Sequence, residues 1–292
     1  MTKASKSNVK VKWYNGISVS DAYALENLGK RSRLGRIFDY KTKTSIIIPM
    51  DHSTESYHDP LERPMDLIRR FADADVDAFL LMKGLARSAA PEFIDRCGLV
   101  YRISGATGLR NKLTEQAYIS GIETAVKLGA SAVTSNIFVG SEREIADLTR
   151  FGEISDTCDE WGMPFLAEVF PIGGKDSEPF DGPYSAEDLR LAVRVAYELG
   201  ADCIKTYYTG DVESFKMVVR NCPIPIIIAG GPKAKSVDEV LHVVKGAMDA
   251  GAVGVAMGRK IWGSKDPIKL VEALKLIIRD KHSVEEASRV LA

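Results

Sequence analysis

Residues 201–211 read Ala-Asp-Cys-Ile-Lys-Thr-Tyr-Tyr-Thr-Gly-Asp. The apolar and β-branched centre of this stretch predicts a short buried strand, and Gly210 and Asp211 predict a turn and the cap of the next helix. Lys205 lies near the C-terminal end of the strand. Burial disfavours an ammonium ion, and a neutral amine can condense with a carbonyl to form a Schiff base. Lys205 is therefore either a nucleophile or the partner in a structural salt bridge.

The junction just before this strand recurs along the chain. Leu199-Gly200-Ala201 has counterparts at Leu128-Gly129-Ala130 and Ala250-Gly251-Ala252. Each predicts a helix that ends in a left-handed glycine and leads straight into a buried strand. Eight such strands are predicted, in these positions: Ser45–Met50, Ala78–Met82, Val100–Ile103, Ala132–Asn136, Phe165–Phe170, the run around Lys205, Ile224–Ala229 and Gly254–Met257.

These strands are mostly continuous apolar runs, which is typical of parallel strands buried on both faces. Eight of them alternating with helices predict an α/β protein with a single (β/α)8 TIM barrel and an N-terminal extension. No Gly-x-Gly-x-x-Gly motif follows the first strand and no Walker motif occurs, so the sequence does not favour a dinucleotide or nucleoside triphosphate site. The predicted helices are Pro64–Ala74, Glu115–Leu128, Ser141–Trp161, Ser185–Leu199, Val212–Arg220, Val237–Ala250, Pro267–Ile278 and Ser283–Leu291.

Three segments are predicted. Residues 1–38 form an arm and a basic helix, residues 39–280 the barrel, and residues 281–292 a C-terminal helix. The basic stretch Leu25–Phe38 is weakly amphipathic, so it either covers the bottom of the barrel or is a solvated basic face.

Length, net charge and cysteine spacing limit the classes of function to be considered. The 292 residues fit one barrel, and a net charge of −1 gives no reason to expect nucleic acid or an anionic membrane as a partner. No apolar run reaches the roughly 20 residues of a membrane span, and the lysine-rich N-terminus is no secretory signal. The four cysteines are widely spaced, which favours reduced thiols in a cytoplasmic protein.

Chemistry in a TIM barrel takes place at the C-terminal ends of the strands. On the fifth strand Glu168 is buried on one face or the other, and Lys205 on the neighbouring strand is its obvious partner, either as a structural ion pair or as part of a reaction centre. The candidates at strand ends are Asp51, His52, Lys83, Glu168, Lys205, Tyr207, Gly230, Gly231, Gly258 and Arg259.

The last two strand ends carry a phosphate signature. Gly230-Gly231 and Gly258-Arg259 would let backbone N–H groups approach an anion closely while the arginine adds charge. Two tight turns are the alternative. A metal site built from His52, His58 and nearby carboxylates is a weaker hypothesis, because their spacing matches no common ligand motif.

Several of these stretches resemble the archaeal-type class I fructose-bisphosphate aldolase family. The family includes the 2-amino-3,7-dideoxy-D-threo-hept-6-ulosonate synthases and the thiolase that processes phosphorylated autoinducer-2. The likeness covers about residues 27–278. It is carried in order by NLGKRSRLGRIF (27–38), PMDH (49–52), IKT (204–206), YTGD (208–211), CP (222–223), AGGPK (229–233) and GVAMGRKI (254–261).

The resemblance implies a Schiff-base aldolase that makes or breaks a C–C bond in a small phosphorylated sugar or ketone, without metal or organic cofactor. It makes Lys205 the Schiff-base lysine and Asp51 a catalytic carboxylate, and gives Gly230, Gly231, Gly258 and Arg259 to the substrate phosphate. Family members are commonly homo-oligomers, so the resemblance implies one here.

This sequence departs from the family pattern after the fifth strand. The family's Tyr-Pro-Arg-Gly run, whose tyrosine transfers protons, is here Phe-Pro-Ile-Gly at 170–173. We therefore expect Glu168 or Tyr207 to transfer the proton, and the loss of the arginine argues against a second substrate phosphate unless Lys175 replaces it.

Alternatives to the aldolase remain open at this point. An acyl or ketol transferase of the same family would use the same lysine and need a second acceptor. A metal-dependent aldolase or isomerase and a non-catalytic sugar-phosphate-binding barrel are further alternatives.

Overall fold

The structure, a computed structural model, describes residues 12–13, 17–18, 28–110, 112–172, 185–231 and 236–291. Eight parallel strands form a closed barrel in which each strand pairs with its neighbours in chain order and the last pairs with the first. The predicted (β/α)8 barrel is confirmed. The strands, labelled β1 to β8, are Ser45–Pro49, Ala78–Leu81, Gly98–Arg102, Ala132–Val139, Phe165–Pro171, Cys203–Thr206, Ile226–Ala229 and Gly254–Ala256.

Helices surround the barrel and follow the strands in turn. They are α1 Leu28–Leu34, α2 Pro64–Asp73, α3 Lys83–Phe93, α4 Ile122–Lys127, α5 Glu144–Glu160, α6 Ala186–Glu198, α7 Val212–Arg220, α8 Val237–Ala250, α9 Arg259–Trp262, α10 Pro267–Ile278 and α11 Val284–Ser288. Short 3-10 turns lie at His52–Thr54, Asp59–Leu61, Gly108–Arg110 and Arg289–Leu291. Two small antiparallel pairings join Lys12–Trp13 to Ile17–Ser18 and Ser104–Gly105 to Ala117–Tyr118.

The glycines that end the helices of this repeat have the predicted left-handed backbone conformation. Gly129, Gly200 and Gly251 have φ values of 68°, 92° and 107°, a region that glycine enters at little cost. Each is followed within a few residues by a barrel strand. The repeated Gly-Ala junctions therefore do specify where buried strands begin.

One element was missed by the sequence analysis, and two predicted elements have different bounds. Helix α3 was not predicted, although residues 83–93 are helical. The predicted helix over residues 115–128 begins only at Ile122, because Ala117–Tyr118 pairs as a strand over the top of the barrel. Strand β4 runs on to Val139 rather than ending at Asn136, because it keeps pairing with β5 as far as Pro171.

The bottom of the barrel is closed by residues that follow α1. Ile37 and Phe38 are buried in one apolar cluster with side chains inside the barrel, among them Ile47, Leu80 and Leu166. Burial of two such side chains contributes about 3–6 kcal/mol before the entropy of ordering them is subtracted. These contacts agree with a covering role for the described part of the basic stretch, and that role stays a prediction.

The boundaries at residues 38 and 280 stay predictions, and most of the predicted arm, residues 1–11, 14–16 and 19–27, lies outside the described residues. Among the helices described above, none combines the length and the apolar character needed to cross a bilayer.

Candidate active site

A cavity of about 380 Å³ opens at the C-terminal end of the barrel. Its walls come from the ends of β1, β3, β4, β5, β6, β7 and β8 and from the loops that follow them. Nine of the ten predicted site residues line it, all but Lys83: Asp51, His52, Glu168, Lys205, Tyr207, Gly230, Gly231, Gly258 and Arg259. The fold therefore collects residues as far apart in the chain as Asp51 and Arg259.

Lys205 and Glu168 form the floor of this cavity. They are register partners on β6 and β5, and Lys205 Nζ lies 2.8 Å from Glu168 Oε2. Lys205 is 7% exposed and Glu168 3% exposed. A buried ammonium is tolerated where a carboxylate and hydrogen bonds compensate it, and here one carboxylate oxygen does so.

Arg102, at the end of β3, links this pair to a second carboxylate. Its Nη1 donates to Glu168 Oε1 at 2.8 Å and to Asn136 Oδ1 at 2.8 Å, while its Nε lies 3.1 Å from Asp51 Oδ2. Thr134 Oγ1 also donates to Glu168 Oε1, at 3.2 Å. Two carboxylates and two cations thus form one buried, hydrogen-bonded network.

The charges around Asp51 and His52 shift their proton affinities. Burial by itself would raise the pKa of Asp51, but Arg102, followed by His52 and Lys205, brings it below its usual value. Burial lowers the pKa of His52 to about 4, with Lys205 and Arg259 also lowering it, although Asp51 favours the charged ring. Asp51 is therefore an anion, and His52 a neutral imidazole, at neutral pH.

A third acid faces the cavity from the loop after β1. Burial, followed by the charge of Asp51, raises the pKa of Glu55, although Arg102 and Arg259 favour its ionised form. The pKa values of Glu55 and Asp51 are thus displaced in opposite directions within one cavity, as in sites where one acid donates a proton and another accepts it.

The β7 and β8 side of the cavity is cationic. Arg259 is exposed at the start of α9, and Lys260 follows it. Burial, and then repulsion from Arg259, lowers the pKa of Lys260, although Glu239 opposes this. No carboxylate of the described residues forms a salt bridge with Arg259, which leaves its guanidinium available to an anion.

The glycines on this side have local structural reasons as well. Gly231 has a φ of +63°, which a larger residue would adopt only with strain. A Cβ on Gly258 would lie 2.5 Å from the carbonyl oxygen of Pro49, so β8 can approach β1 only with glycine there. Both positions therefore have a local backbone requirement for glycine, and both bring backbone close to the cavity.

The β5 and β6 wall is aromatic. The rings of Phe170 and Tyr207 pack with centroids 4.7 Å apart, and both residues line the cavity. Lys83 does not line it: β2 ends before it, and Lys83 begins α3 as an exposed residue. Lys175, which the sequence suggested as a replacement for the family's arginine, lies outside the described residues.

Sequence reasoning missed Arg102, Asn136 and Thr134. Arg102 gave the same signal as Lys205, a charged side chain in an otherwise apolar strand, and could have been found by it. Across the described part of the chain, no three His, Cys, Asp or Glu side chains converge to hold a metal ion, the pair His52 and His58 included.

Comparison with known proteins agrees with this geometry. Residues 45–264 match the DeoC/LacD family of aldolases. A 2-amino-3,7-dideoxy-D-threo-hept-6-ulosonate synthase of Archaeoglobus fulgidus is 36% identical over 260 residues, which cover 89% of this chain and 94% of that protein.

Solved structures give the same result. An archaeal fructose 1,6-bisphosphate aldolase superposes with a TM-score of 0.77 at 30% identity, covering 86% of this chain and 99% of that one. Another structure of an archaeal fructose-1,6-bisphosphate aldolase, described with its catalytic lysine covalently bound to the carbinolamine intermediate of the substrate, gives a TM-score of 0.76 at 30% identity with the same coverage. The predicted resemblance, and the prediction of an aldolase-type enzyme, are confirmed: this chain belongs to the DeoC/LacD family of aldolases.

Proposed function

We propose that this protein is a class I aldolase in which Lys205 forms a Schiff base with a small phosphorylated ketose-like substrate. The observation that carries the proposal is the buried amine of Lys205, which lies at the floor of the cavity and 2.8 Å from a carboxylate oxygen of Glu168. Both solved structures compared above are aldolases, and in one of them the catalytic lysine is covalently bound to an intermediate of the substrate.

The short distance between the two groups gives the first step. Glu168 Oε2 accepts a proton from the Lys205 ammonium, and the neutral amine attacks the substrate carbonyl to give a carbinolamine. The proton on Glu168 then leaves with the carbinolamine hydroxyl as water, and an iminium remains. Buried carboxylate and amine exchange this proton without help from bulk water, because no rearrangement of either side chain is needed.

Asp51 serves the second step. The iminium draws electrons from the neighbouring C–C bond, which breaks as a base takes the proton of the substrate hydroxyl and leaves an enamine on Lys205. Asp51, ionised at neutral pH, supplies that base at the cavity wall. The proton that Asp51 took passes to Glu168, or to Tyr207 on the aromatic wall, and that residue gives a proton to the enamine carbon in place of the family's tyrosine.

The substrate phosphate binds on the cationic side. Arg259 and Lys260, together with backbone N–H groups at Gly230, Gly231 and Gly258, give a positive, open surface that a phosphate monoester suits. The carboxylates Asp51 and Glu55 line the same cavity, so a second substrate phosphate near them would be repelled.

Borohydride trapping tests the proposal. Dihydroxyacetone phosphate and related phosphorylated ketones are incubated with the protein, the mixture is reduced, and intact and peptide masses are measured. We expect an adduct on Lys205 that is absent from Lys205→Ala. Failure to trap any phosphorylated carbonyl, in a protein that is folded by circular dichroism, would reject the Schiff-base mechanism and favour a metal-dependent or binding-only barrel.

A transferase of the same family is the second candidate. It is favoured by the 36% identity to a heptulosonate synthase, a protein named for joining rather than cleaving. The two candidates separate by acceptor dependence. An aldolase releases an aldehyde, without a second substrate, from the ketose that trapping has identified. A transferase turns over only when an acceptor aldehyde or thiol is added.

We further propose a cytoplasmic homo-oligomer without nucleic acid or membrane partners. All four cysteines are buried and none is in a disulfide, which supports a reducing compartment. Large apolar side chains such as Leu109 and Ile145 are exposed on loops and helices of the barrel rim, where a second copy would cover them. Light scattering after size-exclusion chromatography measures the subunit number.

A further inference from the structure

We propose that Arg102 is a positioning residue that holds the Glu168 carboxylate so that a single oxygen, Oε2, exchanges the proton with Lys205. The proposal rests on the Schiff-base function of Lys205. It assigns a role to a residue that neither touches the amine nor belongs to the phosphate-binding side of the cavity.

The contacts of Glu168 are divided between its two oxygens. Oε1 accepts hydrogen bonds from Arg102 Nη1 at 2.8 Å and from Thr134 Oγ1 at 3.2 Å. Oε2 faces Lys205 Nζ at 2.8 Å. A glutamate carboxylate otherwise rotates freely about its last torsion, and two donors on one oxygen prevent that rotation. The oxygen that receives the lysine proton is therefore fixed in advance.

The guanidinium is itself held in place. Arg102 is 6% exposed, and its Nε and Nη1 reach Asp51, Asn136 and Glu168 from one rigid plane. Five donors in a fixed plane allow an arginine to bridge two carboxylates, and the single ammonium of a lysine does not reproduce that geometry. Arg102 thus sets the spacing between Asp51 and Glu168, the two bases of the proposed mechanism.

Arg102 also controls where the proton goes. Its Nη1 donates to Glu168 Oε1 at 2.8 Å, so that oxygen is occupied by the guanidinium and Oε2 is left to exchange the proton with Lys205. The same charge is the main force that keeps the pKa of Asp51 low despite its burial. Without Arg102 two buried carboxylates would face one lysine and would lose the cation that now bridges them.

The test separates imine formation from the rest of turnover. The rate at which the borohydride-trappable adduct forms in a single turnover is measured for wild type, Arg102→Lys, Glu168→Gln and the double variant, each over a range of pH. We expect Arg102→Lys to slow adduct formation by about 10- to 100-fold, less than the loss of an acid–base group itself, and to move the acidic limb of the pH profile upward.

The double variant identifies the route of the effect. If Arg102 acts through Glu168, Arg102→Lys in the Glu168→Gln background slows adduct formation by less than about 3-fold, because the oxygen it holds no longer accepts a proton. Arg279→Lys is the matched control: Arg279 also bridges two aspartates, Asp75 and Asp77, but at the opposite end of the barrel, and we expect its adduct rate to equal that of wild type.

Thr134→Val gives a second route to the same answer if Arg102→Lys does not fold. It removes the other donor to Oε1 while keeping every charge, and we expect a decrease in adduct rate of about 3- to 10-fold. The proposal is overturned if folded Arg102→Lys forms the adduct at the wild-type rate. If Arg102→Lys does not fold, a wild-type adduct rate in Thr134→Val overturns it. It is also overturned if the rate losses of Arg102→Lys and Glu168→Gln multiply in the double variant. A wild type that forms no adduct instead overturns the proposed function.

Discussion

The two ends of the barrel each bury a lysine among carboxylates, and they differ in what lies beside it. At the C-terminal end Lys205 has one carboxylate oxygen, from Glu168, and lines an open cavity. At the N-terminal end Lys30 of α1 forms salt bridges with two aspartates, Asp159 and Asp202, and its Nζ lies 2.8 Å from Asp202 Oδ2. Lys30 does not line the active-site cavity. Of these two lysines, Lys205 is the one that lines the active-site cavity.

The N-terminal network has the character of a structural tie. Asp202 also accepts the N–H of Phe165 at 2.9 Å, so Lys30 fastens the covering helix to the starts of β5 and β6. Burial would lower the pKa of Lys30, but Asp202 and Asp159 raise it above the usual value, and the lysine stays charged. The salt-bridged lysine considered as the alternative for Lys205 therefore exists in this protein, at Lys30.

The comparison shows that burial of a lysine next to a carboxylate does not by itself identify a nucleophile. The two lysines differ in their ion-pair partners and in whether they line the cavity. Lys30 pairs with two carboxylates, whereas Lys205 pairs with Glu168, which also pairs with Arg102. A reacting amine needs room for a carbonyl and a partner that can take its proton and give it back.

Glu168→Gln is expected to have the largest effect, because the amide accepts no proton from Lys205. Turnover should fall by about 10²- to 10⁴-fold, the usual contribution of an acid–base group, with folding retained. Steady-state kinetics on the substrate found by trapping measures this, with Tyr207→Phe in parallel. If both variants turn over at the wild-type rate, neither residue has replaced the family's tyrosine.

Lys30→Met should have the opposite profile. It leaves Asp202 buried without a counter-charge, and breaking a buried pair in this way costs about 3–5 kcal/mol of unfolding free energy. Denaturant unfolding measures that loss, and borohydride trapping per folded molecule should be unchanged. Lys112→Met, which breaks an exposed pair with Glu115, is the matched control and should change stability by less than about 1 kcal/mol. Loss of trapping in folded Lys30→Met would contradict the division into two ends.

Arg259→Gln should weaken substrate binding rather than chemistry. A charge-assisted contact to phosphate is worth about 1.5–3 kcal/mol, so KM for a phosphorylated ketone should rise about 10- to 100-fold with kcat little changed. The KM for the same ketone without its phosphate should stay constant. Arg143→Gln, at the start of α5 and away from the cavity, serves as the control. Equal losses with both ketones would show that Arg259 does not bind the phosphate.

The effect of His52 should be absent at neutral pH and appear only as the pH falls. Its pKa of about 4 in the folded chain lies below the ordinary 6.5, so the unfolded chain takes up a proton first as pH falls. The stability that His52 contributes is complete above about pH 6.5 and is lost towards pH 4, at up to about 1.4 kcal/mol per pH unit. Imidazole NMR signals measure the titration directly, and His52→Asn should flatten the pH dependence of unfolding. A His52 ring that titrates near pH 6.5 would contradict this.

Much of the site was predictable because TIM barrels gather strand ends. Asp51, Glu168 and Lys205 each follow or end an apolar run, and parallel strands in a closed barrel bring such residues to one rim. Lys83 fits the same pattern, yet it begins α3 and is exposed. A shift of one or two residues in the end of a strand decides whether a side chain reaches the cavity, and local sequence does not fix that end.

The sequence by itself determined the eight-fold alternation, the left-handed glycines that end the helices, the family and the residue types available for chemistry. Those features depend on neighbouring residues and on hydrophobic periodicity, which act along the chain. Only the tertiary structure decided that Arg102 joins Asp51 to Glu168, and that Lys30 is saturated while Lys205 is not. Those outcomes depend on strand register and on which buried charges meet, and both are set by contacts between residues far apart in the sequence.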